Sequence, residues 1–147
     1  MTASLEALAA HRREISEIAS TLRAMLSPDQ LQIRSIAQVA KRLLCDLCGR
    51  VATHLIEEDE DLYPSLLAHG DIRIQHMAWG FQVGDRPLRR QFEAYDQRWL
   101  KDCDFEFTEQ FLDDTVELLD AIEMRLKREQ QVMIPQLEDS GIFSATV

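Results

Sequence analysis

His54-Leu55-Ile56-Glu57-Glu58-Asp59-Glu60-Asp61-Leu62-Tyr63-Pro64 returns later in the chain as Arg125-Leu126-Lys127-Arg128-Glu129-Gln130-Gln131-Val132-Met133-Ile134-Pro135. In both stretches a glutamate follows the first residue by four positions and a proline follows the glutamate by six. Gly70 and Gly141 fall at matching places beyond them. A spacing of four is close to one helical turn, so the paired side chains project from one face. The first copy sets an imidazole beside a carboxylate. The second keeps the carboxylate but carries arginine in the histidine's place. The pattern is that of a metal site with one half altered.

Hydrophobic periodicity builds helices around these motifs. Leu8, His11, Ile15, Ile18, Leu22 and Met25 recur at spacings of three and four, which predicts a first helix from about Ser4 to Leu26. Ser27-Pro28-Asp29-Gln30 supplies an N-cap serine, a proline at the first helical position and a glutamine that closes a capping box. The second helix carries Ile36, Ala40, Leu43, Leu47, Val51, His54 and Glu58 on one face. It should end or kink near Tyr63-Pro64, with Leu66 and Leu67 continuing its apolar face as far as Gly70.

A third segment, from about Asp71 to Leu100, aligns Ile74, Ala78, Phe81, Leu88, Phe92, Tyr95 and Trp99. Gly80, Gly84 and Pro87 predict a kink or short break within it. After Lys101-Asp102-Cys103-Asp104, a fourth helix shows Phe111, Thr115, Leu118, Ile122, Arg125 and Glu129 and should end before Pro135. Four long helices with short connections predict an all-α, antiparallel up-down-up-down four-helix bundle. The 147 residues read as a single domain, with a core over about 4–137 and a tail over 138–147. His11 lies closer to the Ser27-Pro28 turn than His54 does. If the two histidines meet at one level, part of 28–34 cannot run beside the first helix as regular hairpin.

The formal charge of −10 argues against nucleic acid and anionic membrane surfaces as partners. No apolar run reaches the length of a membrane span, and Met1-Thr2-Ala3-Ser4-Leu5-Glu6 has neither the basic nor the apolar region of a secretion signal. These features predict a cytoplasmic protein whose three cysteines are reduced. Cys45 and Cys48 form an isolated Cys-x-x-Cys inside a helical pattern and read as packing residues.

The seam residues that are not apolar carry the chemistry. His11 interrupts the first seam, His54 and Glu58 the second, Arg125 and Glu129 the fourth. Burying an ionisable group without a partner costs several kcal/mol, so these groups must satisfy one another or a ligand. Imidazole and carboxylate donors projecting into a bundle core suit iron, manganese or zinc. No histidine has a glutamate three residues before it, which argues against the Glu-x-x-His di-iron pattern. Glu57, Asp59, Glu60 and Asp61 read as a solvated acidic face, with Glu57 and Asp61 the two able to support a metal or pair with His54. Tyr63, Tyr95 and Trp99 read as packing residues.

On His11, on His54-x-x-x-Glu58 with Leu62-Tyr63-Pro64, and on Arg125-x-x-x-Glu129 with Pro135, the chain resembles the hemerythrin family of HHE cation-binding domains, from His11 to about Leu137. The resemblance implies a bundle that holds a non-haem di-iron centre for oxygen carriage, oxygen or redox sensing, or iron and nitric-oxide handling. It implies one iron on His11 and His54, and Glu58 and Glu129 as the carboxylates that bridge the irons. The other iron would take histidines from the third and fourth helices. Here the fourth-helix position is Arg125. The third-helix level falls at Gln82, flanked by Phe81, Gly84 and Asp85; of these Asp85 lies on the seam, while His76 lies off it.

The ligands lost thus all belong to one metal. The guanidinium of Arg125 is expected in the place of that metal, hydrogen-bonded to Glu58, Glu129 or both. What remains is a one-metal site with His11, His54, Glu58 and Glu129 as candidate ligands and iron as the expected ion, zinc or no metal being the alternatives. The expected function is binding or sensing of O2, NO or redox state. The alternatives are a metal-free bundle acting as an interaction or regulatory module and, third, an oxidase-like enzyme using a single iron. No nucleophile-base arrangement or glycine-rich phosphate loop points to a hydrolase or transferase.

Overall fold

A computed structural model describes residues 5–100 and 108–141. It contains helices α1 (Leu5–Met25), α2 (Pro28–Leu31), α3 (Arg34–Glu57), α4 (Tyr63–Leu67), α5 (Ile72–Tyr95), α6 (Glu109–Arg128) and α7 (Ile134–Asp139), with π-helical turns at Glu58–Leu62, Asp96–Leu100 and Glu129–Met133. There is no strand among the described residues. Helix α1 packs on α3 and α6, α5 packs on α4 and α6, and the ring so formed is the expected antiparallel four-helix bundle. The Lys101–Asp104 link, Cys103 and the end of the tail lie outside the described residues. No described helix is long and apolar enough to cross a membrane.

The local signals act largely as the sequence predicts. The Ser27 hydroxyl accepts from the Gln30 amide at 3.2 Å and starts the single turn α2. Gln32 and Ile33 then break the chain before α3, so 28–33 does not form a regular hairpin with α1. Asp71 caps α5 through the Arg73 amide, and Thr108 caps α6 through the Phe111 amide. At the far end Gly141 has φ +68°, the left-handed conformation that glycine adopts without a Cβ penalty; Gly70 is not in that region.

Two expectations are corrected. Of the kink or short break expected in the third segment, the break does not occur: helix α5 runs from Ile72 to Tyr95 through Gly80, Gly84 and Pro87. The fourth helical run does not end before Pro135 but continues through the π turn Glu129–Met133 into α7. A proline cannot donate a backbone hydrogen bond, and its ring crowds the preceding turn. A π turn widens the helix ahead of Pro64 and Pro135: the Tyr63 amide reaches back five residues to the Glu58 carbonyl, and the Ile134 amide does the same to Glu129. Both copies of the repeated motif therefore have the same backbone device, and each begins at its glutamate.

The core divides in two. Ile15, Leu22, Leu47, Leu88, Phe111 and Leu118 belong to one buried cluster, whereas Tyr63, Leu66, Phe81, Met133 and Leu137 belong to another near the α4 and α7 end. Along α3, α5 and α6 the change from one cluster to the other falls at Glu58, Asp85 and Glu129, all buried. A polar layer thus lies between two apolar ones. Leu118→Ala, which opens a cavity in the larger cluster, is expected to cost about 2–5 kcal/mol. Ile72→Ala, at a position 61% exposed, should stay within about 0.5 kcal/mol. Urea denaturation of the two variants checks both.

Candidate metal centre

The polar layer is assembled from three helical runs. His54 comes from the last turn of α3, Glu58 and Glu129 open their π turns, Asp85 comes from the middle of α5, and Arg125 from the last turn of α6. The i,i+4 spacing works as expected in both copies. His54 Nε2 lies 3.4 Å from Glu58 Oε1, and Arg125 Nε donates to Glu129 Oε2 at 2.9 Å. The copies then cross-connect, His54 Nε2 standing 3.1 Å from Glu129 Oε1 and Arg125 Nη2 standing 3.5 Å from Glu58 Oε2.

Arg125 makes every contact that a planar, permanently charged fork allows. Besides its bond to Glu129, its Nη1 is 2.6 Å from Asp85 Oδ1 and donates to the Phe81 carbonyl at 3.2 Å. Its Nη2 donates to the Tyr63 hydroxyl, which in turn donates to Asp85 Oδ2 at 2.8 Å. The guanidinium carbon stands 4.7 Å from the Phe81 ring centroid, within cation–π range. The charges of Glu58, Glu129 and Asp85 hold Arg125 firmly protonated although burial works against its charge.

Glu58 is the anomaly. It is 1% exposed, and neither of its carboxylate oxygens has a hydrogen-bond partner. Burial and the nearby charge of Glu129 push its carboxyl up to about 8. For His54, burial disfavours the charged ring, but the hydrogen bond to Glu129 and the charges of Glu58 and Glu129 prevail and raise it to about 9. Burial is likewise outweighed at Glu129, which the His54 hydrogen bond and the charges of His54 and Arg125 hold below the usual carboxylate range. Three buried carboxylates face one guanidinium, leaving two charges that a divalent cation or a pair of protons would balance.

Donor atoms of His54, Glu58 and Glu129 lie within 4.8 Å of one another, close enough to share an ion. Imidazole nitrogen and carboxylate oxygens are donors that iron, manganese and zinc accept. Glu58 oxygens that make ion contacts at 3.4 and 3.5 Å but accept no hydrogen bond are what such a site leaves when its cation is set aside. The residues present therefore fit one metal ion. On the opposite side of the carboxylates the Arg125 guanidinium fills the space.

His11 stands apart from this cluster. Its Nδ1 is 3.5 Å from Glu57 Oε2, with both side chains 41% exposed. The α1 seam of Ile15, Ala19 and Leu22 splits one turn earlier, where His11 turns toward α3 and Arg12 toward α6. Glu57 is thus engaged by His11, and Asp59 pairs with Arg89 at 2.9 Å, while Glu60 and Asp61 are exposed. Gln82 is half-buried and His76 exposed. The third-helix residue that reaches the layer is Asp85, whose seam position was the signal for it. Tyr63 packs in the core as expected, but its hydroxyl also joins Arg125 to Asp85, a role that aromatic spacing does not announce. Cys45 is exposed and Cys48 buried, its thiol pushed up to about 12 by burial.

The family described as hemerythrin HHE cation binding domain matches residues 3–137 of the chain. No curated protein and no solved structure gives a match.

Arg125→Met removes one partner of a buried charge network and should destabilise by about 3–5 kcal/mol. Adding Asp85→Asn should recover part of that loss, because it removes a charge left without its partner; chemical denaturation of the single and double variants measures both. In the metal-stripped protein the raised His54 and Glu58 values favour their protonated forms in the fold. Their stabilisation is complete below the ordinary values of 6.5 and 4.5 and is lost as pH rises through about 9 and about 8 respectively. Glu129, shifted down, contributes above its ordinary value and loses that contribution in acid. Thermal unfolding should therefore show Tm falling between pH 6.5 and 9; a flat profile contradicts the assignment.

Proposed function

The chain belongs to the hemerythrin HHE cation-binding family, and on that premise we propose that it holds a single iron ion at His54, Glu58 and Glu129 and serves as a binding or sensing domain for O2, NO or redox state. The observation that carries this reading is Glu58, a buried carboxylate whose oxygens accept no hydrogen bond, beside a buried histidine and a second buried carboxylate. A divalent cation balances the charge of this layer; protons do so only by occupying the nitrogen and oxygen atoms suited to bind it.

Arg125 sets the number of ions. It occupies the side of Glu58 and Glu129 opposite to His54 and is tied to Asp85, Tyr63 and the Phe81 carbonyl. A second cation in that place would have to displace a guanidinium held by three carboxylates. The chain's own residues thus divide the work: His54 offers its Nε2, Glu58 and Glu129 offer carboxylate oxygens, and Arg125 fixes the orientation of both carboxylates. His11 is the second imidazole available on that side if it leaves Glu57. Iron bound there supplies redox chemistry and an open coordination position for a diatomic ligand.

One observation favours a second reading, a metal-free bundle that acts as an interaction or regulatory module. Arg125 already meets Glu58, Asp85 and Glu129, and protons on His54 and Glu58 would complete the balance. Metal analysis of protein purified under iron-replete, reducing conditions separates the two. One ion per chain, lost in His54→Ala, is the result expected here, and no bound metal overturns the metal reading. Arg125→His should raise occupancy or admit a second ion; unchanged occupancy would show that Arg125 does not stand in a metal's place.

A further inference from the structure

Between α1 and α3 lies an open cleft of roughly 470 Å³ whose lining includes His11, Asp46, Gly49, Thr53, His54 and Glu57. His54 is the residue shared by this cleft and the candidate metal centre. We infer that the α1–α3 cleft is the path by which a divalent cation enters the centre, drawn in by the carboxylates of Asp46 and Glu57 and delivered to His54. The inference rests on the metal reading above and extends it from where the ion sits to how it arrives.

Order along the cleft supports the path. His11 and Glu57, an imidazole and a carboxylate 3.5 Å apart and each 41% exposed, stand on the solvent side. His54, 5% exposed, stands one turn inward on α3 from Glu57. Beyond it lies Glu58, whose buried oxygens accept no hydrogen bond. An incoming cation thus meets exposed nitrogen and oxygen donors first, the buried imidazole next and the Glu58 carboxylate last. Each step exchanges water for protein donors gradually, which eases the desolvation of a small ion.

The charge of the cleft points the same way. Glu14, Asp46 and Glu57 line it, and Arg50 is taken up by Glu14 at 2.7 Å and Asp46 at 3.2 Å. An acidic cleft with low-dielectric walls raises the local concentration of cations and their rate of entry. Two other clefts are less acidic: Arg12, Arg13 and Lys127 outnumber Glu123 in the one between α1 and α6, and in the one between α5 and α7 Arg73 and Arg128 are matched by Asp71 and Asp139, with Arg73 paired to Asp71 at 3.0 Å. In the latter, the Phe81 ring, stacked against the guanidinia of Arg125 and Arg128, stands between the cleft and the polar layer.

Gly49 provides a test that leaves every candidate ligand in place. A Cβ built there meets no atom within 4 Å, so a larger side chain can occupy the cleft without displacing backbone. Replacing a glycine inside α3 also favours the helix, so Gly49→Leu should fold at least as well as the parent. Metal-stripped protein is mixed with Co2+ in a stopped-flow instrument, and uptake is followed by the visible absorption of the bound ion, with final occupancy measured separately. Gly49→Leu should slow uptake while reaching the parental occupancy. Asp46→Asn/Glu57→Gln should slow it about tenfold at low salt and weaken its dependence on ionic strength. Parental rates and salt dependence in both variants overturn the path while leaving the metal site standing. No uptake by the parent chain overturns both.

Discussion

The guanidinium of Arg125 is the charge around which the middle of the bundle is arranged. Glu58, Asp85 and Glu129 are buried at 1% exposure or less, each brought there by a different helical run. Without a fixed cation among them, their mutual repulsion and loss of hydration would oppose packing of the apolar clusters on either side. A histidine could serve only while protonated, and a lysine lacks the flat fork that reaches several acceptors at once. Arginine meets all three carboxylates, the Phe81 carbonyl and the Tyr63 hydroxyl from one position on α6. Packing of α5 and α6, the orientation of Tyr63, and the shape of the site left to His54 depend on it.

Backbone geometry supports that charge arrangement. The two glutamates that face each other across the layer each begin a π turn, and each π turn ends just before a residue followed by proline. The widened turn relieves the crowding at Pro64 and Pro135 and lets the helix continue past them, carrying Tyr63 and Leu66 on one run and Met133 and Leu137 on the other into the second apolar cluster. One device thus places a carboxylate and closes the end of the core beyond it. Because both copies use it, the approximate symmetry of the motifs survives in the fold even though their leading residues differ.

Much of this was legible in the chain. The i,i+4 pairs, the capping serine at 27 and the apolar seams specify the helices and the faces on which His54, Glu58, Arg125 and Glu129 meet. The continuation past Pro135 and the unbroken α5 were not, because proline and glycine report a local penalty and not whether tertiary packing or a π turn absorbs it. The spacing puts His11 on the α1 seam, yet periodicity places a side chain only to within the width of a helix face. The seam there divides between His11 and Arg12, which turn to different neighbours. Asp85 could be found by its seam position but not assigned a partner, since its pairing with Arg125 depends on the relative heights of two helices distant in sequence.

On the proposed reading, the polar layer is half of a two-metal design, with a protein cation built into the other half. His54, Glu58 and Glu129 bring donor atoms close enough to share one divalent ion, and the Glu58 oxygens that accept no hydrogen bond are the mark that favours it. Anomalous diffraction from crystals of the iron-loaded protein, collected at the iron edge, tests this most directly. One peak is predicted, between His54, Glu58 and Glu129, with Arg125 still bound to Asp85. Two peaks about 3.5–4 Å apart, or no peak among these residues, would contradict it.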